Sequence, residues 1–220
     1  MSDDAISRLT RKGRATRARI IDVAARLMFE RGVGGTSIDE VRGAATVSGS
    51  QISHYFDDKR DLTRNVIDAR RIHVRDFHTQ LGGLDSFAAL DAWVEATLAE
   101  LDPVYRVGGC VYGSLAGELV EADAEIHGDL AAGYDQWCEL FRDGIAEMRR
   151  RGDLRPDTDP RHLAVSLVAA HQGGALLTYI TDSPEPLRTA VNAAVEYVRS
   201  FAPTSTARKP RAAARRKPKR

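Results

Sequence analysis

The 220-residue sequence predicts an all-α fold of about nine helices, on the strength of three observations. Apolar residues recur at helical spacing along most of the chain. Glycine and proline breakers separate these segments, and no convincing stretch alternates as a half-buried strand would. We expect four regions: a disordered basic arm at 1–13, a three-helix domain at 14–74, a larger helical domain at 75–203 and a disordered basic tail at 204–220.

The first predicted helix runs from about Ala15 to Arg31. Its apolar face consists of Ile20, Ile21, Ala24, Leu27 and Met28. Gly32, followed closely by Gly34 and Gly35, is typical of a helix end, because glycine accepts the left-handed conformation that a C-terminal cap needs.

Three shorter signals follow. Ser37-x-x-Glu40 fits a capping box at the start of a second helix, and Thr36 is the alternative cap. A turn at Thr46–Val47 precedes Ser48, which is suited to capping a third helix that ends near Phe56. Asp57–Asp58 is expected to cap a fourth helix that reaches about Gln80, where Gly82–Gly83 breaks it.

The rest of the chain is predicted to be helical, with segments near 85–105, 112–122, 125–151, 159–181 and 185–201. The separating breakers are Pro103, the Gly108–Gly109 pair, Gly152, Pro156, Pro160, Pro184 and Pro186.

Charge is segregated along the chain. Residues 1–75 hold 15 Lys and Arg against 10 Asp and Glu, residues 76–207 hold 9 against 21, and residues 208–220 hold 8 against none. An acidic body repels a polyanion, whereas a basic N-terminal module attracts one. The sequence shows no secretory leader and no apolar run of 18 residues, so we expect a cytoplasmic protein that does not contact a membrane.

The stretch Thr36–Leu62 predicts a helix-turn-helix, in which one helix braces a second whose N-terminal residues enter the major groove of DNA. The second helix carries short polar groups outward, and Gln51 suits a bidentate pair with adenine. The expected DNA contacts are Arg14, Arg17, Thr36, Ser37, Arg42, Ser48, Gly49, Ser50, Gln51, Ser53, His54, Tyr55 and Lys59. Core packing is the alternative for Tyr55, an idle surface imidazole for His54, and a solvated lysine for Lys59.

These residues also carry a resemblance. The stretch TRARIIDVAARLMFERGVGGTSIDEVRGAATVSGSQISHYFDDKRDL is similar to the DNA-binding domain of the tetracycline-repressor (TetR) family over roughly residues 14–70. The match comprises the TR-x-x-I start, the E-R-G stop, the T-S cap, the A-x-V-S turn, the H-Y-F run and the K-x-x-L start of the fourth helix. The chain departs from the family pattern at Arg42, Thr46, Gly49 and Ser53, where a small residue, glycine, lysine and an aromatic residue are usual.

The resemblance implies that the body binds a small effector and forms a homodimer. GCVYGSLAGELVE at 109–121 resembles a subgroup reading G-C-P-x-G-x-L, with Val111 in place of the proline. Candidates for the effector pocket are Trp93, Tyr112, Leu115, Trp137, Phe141, His171, Gln172 and Leu176, and ordinary core packing is the alternative for the aromatic residues. The polar pair His171–Gln172 lies in an apolar run, where it must find a partner or a ligand.

The last two predicted helices suit a dimer interface. Small residues at Ala169, Ala170, Gly173, Gly174, Ala193 and Ala194 permit close approach of helices. We therefore expect a homodimeric repressor that binds a palindromic double-stranded DNA operator and is released by a small, apolar or aromatic effector, with no cofactor or metal. The alternatives are a nucleoid-like regulator that relies on its basic tail, and an enzyme built on Cys110 and His171.

Overall fold

The computed structural model describes residues 9–119 and 124–203. In these two ranges the chain forms nine α-helices and no strands, which confirms the all-α prediction. The helices are α1 (Arg11–Arg31), α2 (Ile38–Ala44), α3 (Gly49–Tyr55), α4 (Lys59–Gln80), α5 (Phe87–Ala99), α6 (Val111–Leu119), α7 (Ala124–Arg151), α8 (Pro160–Thr181) and α9 (Glu185–Arg199). Residues 1–8 of the predicted arm and the whole predicted tail, 204–220, lie outside the described residues.

Helix α1 begins earlier than predicted. The Thr10 side chain accepts a hydrogen bond from Gly13 N at 3.1 Å and caps the helix, so the end of the predicted arm, residues 11–13, is helical. The first two turns of α1 are rich in charged residues and have no apolar face. The spacing of apolar residues therefore does not predict that the helix starts there. The helix ends at Arg31 as predicted, with Gly32 at φ 76°.

Two capping boxes fix α2 and α3. Ser37 Oγ accepts from Glu40 N at 3.2 Å, and the Glu40 carboxylate accepts from Ser37 N at 2.8 Å. Ser48 Oγ likewise accepts from Gln51 N at 3.1 Å, and Gln51 Oε1 accepts from Ser48 N at 2.8 Å. Both predicted serine caps are confirmed. The alternative cap, Thr36, donates its hydroxyl to Gly32 O at 2.9 Å instead.

The turn between α2 and α3 contains a strained residue. Thr46 has φ 52°, the left-handed region, where a β-branched side chain is disfavoured by about 1–2 kcal/mol. Thr46 thus adopts a backbone conformation that glycine, the residue usual here in the family that the sequence resembles, accepts without strain.

Two apolar cores lie along the molecule. The first joins α1–α4 to α6 and to the start of α7, and the second is built from α5, α7, α8 and α9. Helix α4 continues without a break through residue 74, so the predicted domain boundary falls inside a helix. We call α1 to α3 with the first half of α4 the head, and the remainder of the molecule the body.

The connection from α5 to α6 differs from the predicted single helix near 85–105. Helix α5 ends at Ala99, and a π-helical turn at Leu101–Tyr105 and one α-helical turn at Arg106–Gly108 follow. Pro103 lies in the π-helical turn, where it has no amide hydrogen to donate to a regular helix.

Helix α8 is apolar on both sides. Of the described helices it is the one long and apolar enough to cross a membrane by length and composition, with 44% of the tested stretch buried inside the fold. Core helices of soluble proteins have the same properties. Its inner face, including Leu163, Leu167 and His171, belongs to the second core, while Leu176, Leu177 and Ile180 are exposed.

Candidate nucleic-acid interface and effector core

Helix α3 presents a polar outer face on an apolar base. Ile52 and Tyr55 are buried in the first core. The opposite side exposes Gly49, Ser50, Gln51, Ser53 and His54. These side chains are short enough for α3 to approach a groove closely, and they carry donors and acceptors for base edges and phosphates.

Three of the predicted contact residues are hydrogen-bonded to one another. Gln51 closes the capping box on Ser48, and Ser48 Oγ lies 3.0 Å from Ser50 Oγ. For Gln51 to pair with a base, its amide must leave Ser48 N. His54 is exposed and its ring packs edge-on against Tyr55, with the centroids 4.9 Å apart.

Three predicted DNA contacts hold the head together instead of facing solvent. Tyr55 is buried, in agreement with the alternative of core packing, and Thr36 is only 2% exposed. The Arg17 guanidinium lies 5.5 Å from the Phe56 ring centroid and donates to Asn65 Oδ1, which ties α1 to α4.

The other candidates lie on the surface of the head. Arg14 donates to Leu9 O at 2.5 Å from the first turns of α1, and Arg42 pairs with Asp39 at 3.1 Å. Ser37 is the exposed cap of α2, and Lys59 is the half-buried first residue of α4. Arg14 and Lys59 lie in the first turns of their helices, and Arg42 lies in the last turn of α2. Such cations are suited to contact phosphates, and these contacts set orientation without reading sequence.

The body contains a buried aromatic cluster. It brings together four of the eight effector candidates, Trp93, Trp137, Phe141 and His171, with ring centroids 5.0 Å apart for Trp93–Phe141 and for Trp137–His171. Tyr105 and His78 complete the cluster, and the sequence did not single them out. His78 lies next to Phe77 in the last turn of α4, and Tyr105 is the last residue of the helix predicted near 85–105. The apolar spacing of these segments does not single out either residue as part of a binding site.

Burial keeps both imidazoles of the cluster neutral, and each ring has a hydrogen-bond partner. Trp137 Nε1 donates to His78 Nε2 at 2.9 Å, and His78 Nδ1 lies 2.7 Å from Val74 O, so the ring proton sits on Nδ1. His171 Nε2 lies 2.7 Å from the Tyr105 hydroxyl. Burial lowers the pKa of His78 to about 4; burial, together with the charge that His78 would carry, lowers the pKa of His171 to about 3.

Two polar groups near this cluster are unsatisfied. Trp93 Nε1 and Thr97 Oγ1, one helical turn apart on α5, are buried and find no hydrogen-bond partner among the residues that the structure describes. A buried polar group without a partner costs free energy, so each of these two atoms has hydrogen-bonding capacity that the described residues do not use.

The other four effector candidates are not members of the ring cluster itself. Tyr112 and Leu115 of α6 belong to the first core, and Gln172 donates to Cys110 Sγ at 3.3 Å at the base of α6. Leu176 does not join the cluster, because five positions along an α-helix turn it by about 140° from His171 onto the exposed side of α8. Gln172 contacts His171, and Tyr112 reaches Trp137 through the ring of Tyr134, so both lie at the edge of the cluster. Leu176 is separated from it.

A short polar helix braced by a second helix, joined to a larger all-helical body, defines a helix-turn-helix DNA-binding protein. Two family models match the chain: residues 20–66 match the bacterial regulatory proteins of the tetR family, and residues 86–194 match a tetracyclin repressor-like C-terminal domain. Together they account for most of the sequence. The chain belongs to the TetR family, and it is a transcriptional regulator and not an enzyme.

Curated relatives and solved structures agree with this assignment. The chain is 24% identical over 186 residues to the HTH-type transcriptional repressor DhaR of Mycobacterium sp. (strain GP1), covering 78% of this chain and 86% of DhaR. It is 27% identical over 177 residues to the transcriptional regulator AcuR of Cereibacter sphaeroides, covering 74% of this chain and 75% of AcuR. A TetR transcriptional regulator from Chloroflexus aurantiacus superimposes with a TM-score of 0.76 at 25% identity, covering 88% of this chain and 98% of that one.

Proposed function

We propose that the protein is a homodimeric repressor that reads a palindromic operator through α3 and is released from it by a small effector. The observation that carries the proposal is the outer face of α3, where Ser50, Gln51, Ser53 and His54 are exposed above a buried Ile52 and Tyr55. The repressor name of the relative DhaR supports the direction of regulation. A regulator of this kind acts in the cytoplasm, where the DNA is.

Sequence reading is assigned to Gln51, Ser53 and His54, which project from the solvent side of α3. Arg14, Lys59 and Arg42 supply phosphate contacts at the edges of the head. Since a bidentate contact to one base discriminates by about 1–3 kcal/mol, a few such side chains suffice for an operator preference.

The second copy is expected to dock on α8 and α9. Val165, Leu176, Leu177 and Ile180 form an exposed apolar stripe along α8, and such a stripe marks an interaction surface. Beside it lies a groove of about 570 Å³ whose small lining residues allow helices to approach: Ala169, Ala170, Gly173, Gly174 and Ala190. A two-fold dimer through this face presents two copies of α3 to one duplex.

The effector is assigned to the aromatic cluster of the body. Its rings favour a flat or apolar molecule, and the neutral state of His78 and His171 disfavours an ionic one. Trp93 Nε1 and Thr97 Oγ1 each have unused hydrogen-bonding capacity. We therefore expect a small, uncharged, largely apolar effector that carries a hydrogen-bond acceptor, such as a carbonyl group.

The variant Gln51→Glu tests the reading of DNA by α3 separately from folding. Glutamate at this position keeps the capping box, because its carboxylate accepts from Ser48 N as the amide does. It places a negative charge against DNA and removes the amide donor. We expect unchanged thermal stability and an affinity for a duplex selected from a random pool that is lower by at least about tenfold.

A matched control is Gln136→Glu, which makes the same change of charge on α7, where Gln136 accepts from Arg71 at 2.8 Å. This variant should keep the operator affinity of the unmodified protein. If Gln51→Glu binds the selected duplex as tightly as Gln136→Glu does, α3 does not read the DNA and the proposal is wrong.

A further inference from the structure

We propose that Glu118 is the positioning residue through which the body fixes the orientation of the head. Its carboxylate accepts two backbone hydrogen bonds across 84 and 85 residues of sequence, from Val33 N at 2.7 Å and from Gly34 N at 2.6 Å. Glu118 lies near the end of α6, and the loop of residues 32–35 joins α1 to α2. One side chain of the body thus holds the loop that enters the helix-turn-helix.

The loop has a shape suited to this carboxylate. Successive backbone N–H groups form a concavity that binds anions. Gly32 has φ 76°, and a Cβ added there would lie 3.1 Å from Glu118 Oε2. A Cβ added at Gly34 would lie 3.4 Å from Glu118 Oε1. The glycines give the carboxylate room to reach both amides.

The same loop is coupled directly to the DNA-binding helices. The Thr36 hydroxyl donates to Gly32 O at 2.9 Å, and Thr36 N donates to Val33 O at 3.2 Å, so the loop closes on itself. The next residue, Ser37, caps α2. A displacement of the loop therefore changes the direction in which α2, and α3 behind it, leave α1.

The other end of α6 rests on the effector core. Gln172 Nε2 donates to Cys110 Sγ at 3.3 Å, and a Cβ added at Gly113 would lie 2.4 Å from Gln172 Oε1. Gln172 is adjacent to His171 of the aromatic cluster. Helix α6 has nine residues and is about 13 Å long. It therefore forms a short, rigid connection between Gln172 and the loop of residues 32–35.

This arrangement gives a route for regulation and rests on the proposed function. A molecule that enters beside His171 pushes Gln172 and the base of α6, and the rigid helix carries the shift to Glu118. Because Glu118 is exposed, solvent screens its charge and the contact adds little to overall stability. Its contribution is to restrict the head to one orientation, which a dimer needs in order to place two heads in register.

The experiment compares Glu118→Ala and Glu118→Asp with the full-length protein. Aspartate keeps the charge but is shorter by one methylene and withdraws from both amides. We expect both variants to bind a full palindromic duplex about tenfold more weakly, within the 5–150-fold range of coupling between sites, and to bind a half-site duplex unchanged. Hydrogen exchange at the amides of Val33 and Gly34 should become faster in both. Glu139→Ala, which removes an exposed carboxylate paired with Arg142 on α7, is the control.

Equal affinity of Glu118→Ala and the unmodified protein for the full site would overturn the proposal. An equal loss on half and full sites would also overturn it, because Glu118 would then only support folding of the loop. Retained full affinity in Glu118→Asp would overturn it as well, because the two hydrogen bonds to the loop would then not be what orients the head. Failure of the proposed function looks different: the unmodified protein itself would then show no preference for the full site over the half-site.

Discussion

The replacement Ile180→Asp should separate the proposed dimer into monomers. Leu176, Leu177 and Ile180 are 57, 50 and 66% exposed. Since complete burial of such a side chain contributes about 1.5–3 kcal/mol, burying what these three still expose contributes about 2.5–5 kcal/mol per protomer and about twice that in a symmetric dimer. Ile180 supplies somewhat more than a third of this.

The aspartate adds a second cost. Two-fold symmetry puts one carboxylate from each protomer into the same apolar interface, and desolvation of each charge costs several kcal/mol. With the lost apolar burial, the dimer should weaken by at least about 4 kcal/mol, or roughly a thousandfold in its dissociation constant.

Sedimentation velocity at micromolar concentration measures the outcome. The unmodified protein should sediment as a dimer, Ile180→Asp as a monomer with an unchanged helical circular dichroism spectrum. Ile72→Asp is the matched control, because Ile72 is an exposed isoleucine, 42% accessible, on α4. If Ile180→Asp remains a dimer, or if Ile72→Asp dissociates equally, the face formed by α8 and α9 is not the interface.

Three further outcomes are expected. Thr46→Gly should raise the free energy of unfolding, measured by urea denaturation, by about 0.5–1 kcal/mol. The glycine relieves about 1–2 kcal/mol of backbone strain at φ 52° and costs about 0.5–1 kcal/mol of chain entropy. A variant less stable than the unmodified protein would contradict this. The pKa values of His78 and His171 in the folded protein, about 4 and about 3, lie below the unfolded value of about 6.5. The two neutral rings therefore contribute stability that is fully present above about pH 6.5. This stability is lost as the pH falls from about 6.5 toward the folded-state pKa values. Denaturation at pH 8 and pH 5 should differ by a few kcal/mol, and equal stability at both would show that these rings are not buried. Arg64→Ala should cost less than about 1 kcal/mol despite the 2.7 Å pair with Asp129, because both side chains are more than a third exposed; a loss of several kcal/mol at physiological salt would refute this.

Local chemistry made much of the head predictable. Ser37-x-x-Glu40 and Ser48 each identify a helix start because a short side chain and the amide three residues on must meet there. Gly32 identifies a helix end for an equally local reason. The start of α1 was predicted too late, since Thr10 caps a first turn that has no apolar pattern.

Contacts between segments that are distant in sequence could not be predicted from local sequence patterns. Glu118 lies 84 residues from Gly34, and nothing in the periodicity of either segment points to the other. The sequence leaves Tyr55 open between a phosphate contact and core packing, and the fold of the head buries its ring in the first core. Leu176 is predicted as an apolar wall of the pocket, although the turn of the helix places it on the exposed side of α8, away from His171.

The spacing of the DNA sites tests the central claim most directly. Two copies of α3, related by two-fold symmetry, should protect two half-sites of inverted sequence from hydroxyl-radical cleavage, with centres one helical turn apart, about 10–10.5 base pairs, or a whole multiple of it. The account predicts this paired protection on a duplex selected by the full-length protein, and its loss with Gln51→Glu. A single protected site, or protection that moves freely along the duplex without sequence preference, would contradict it.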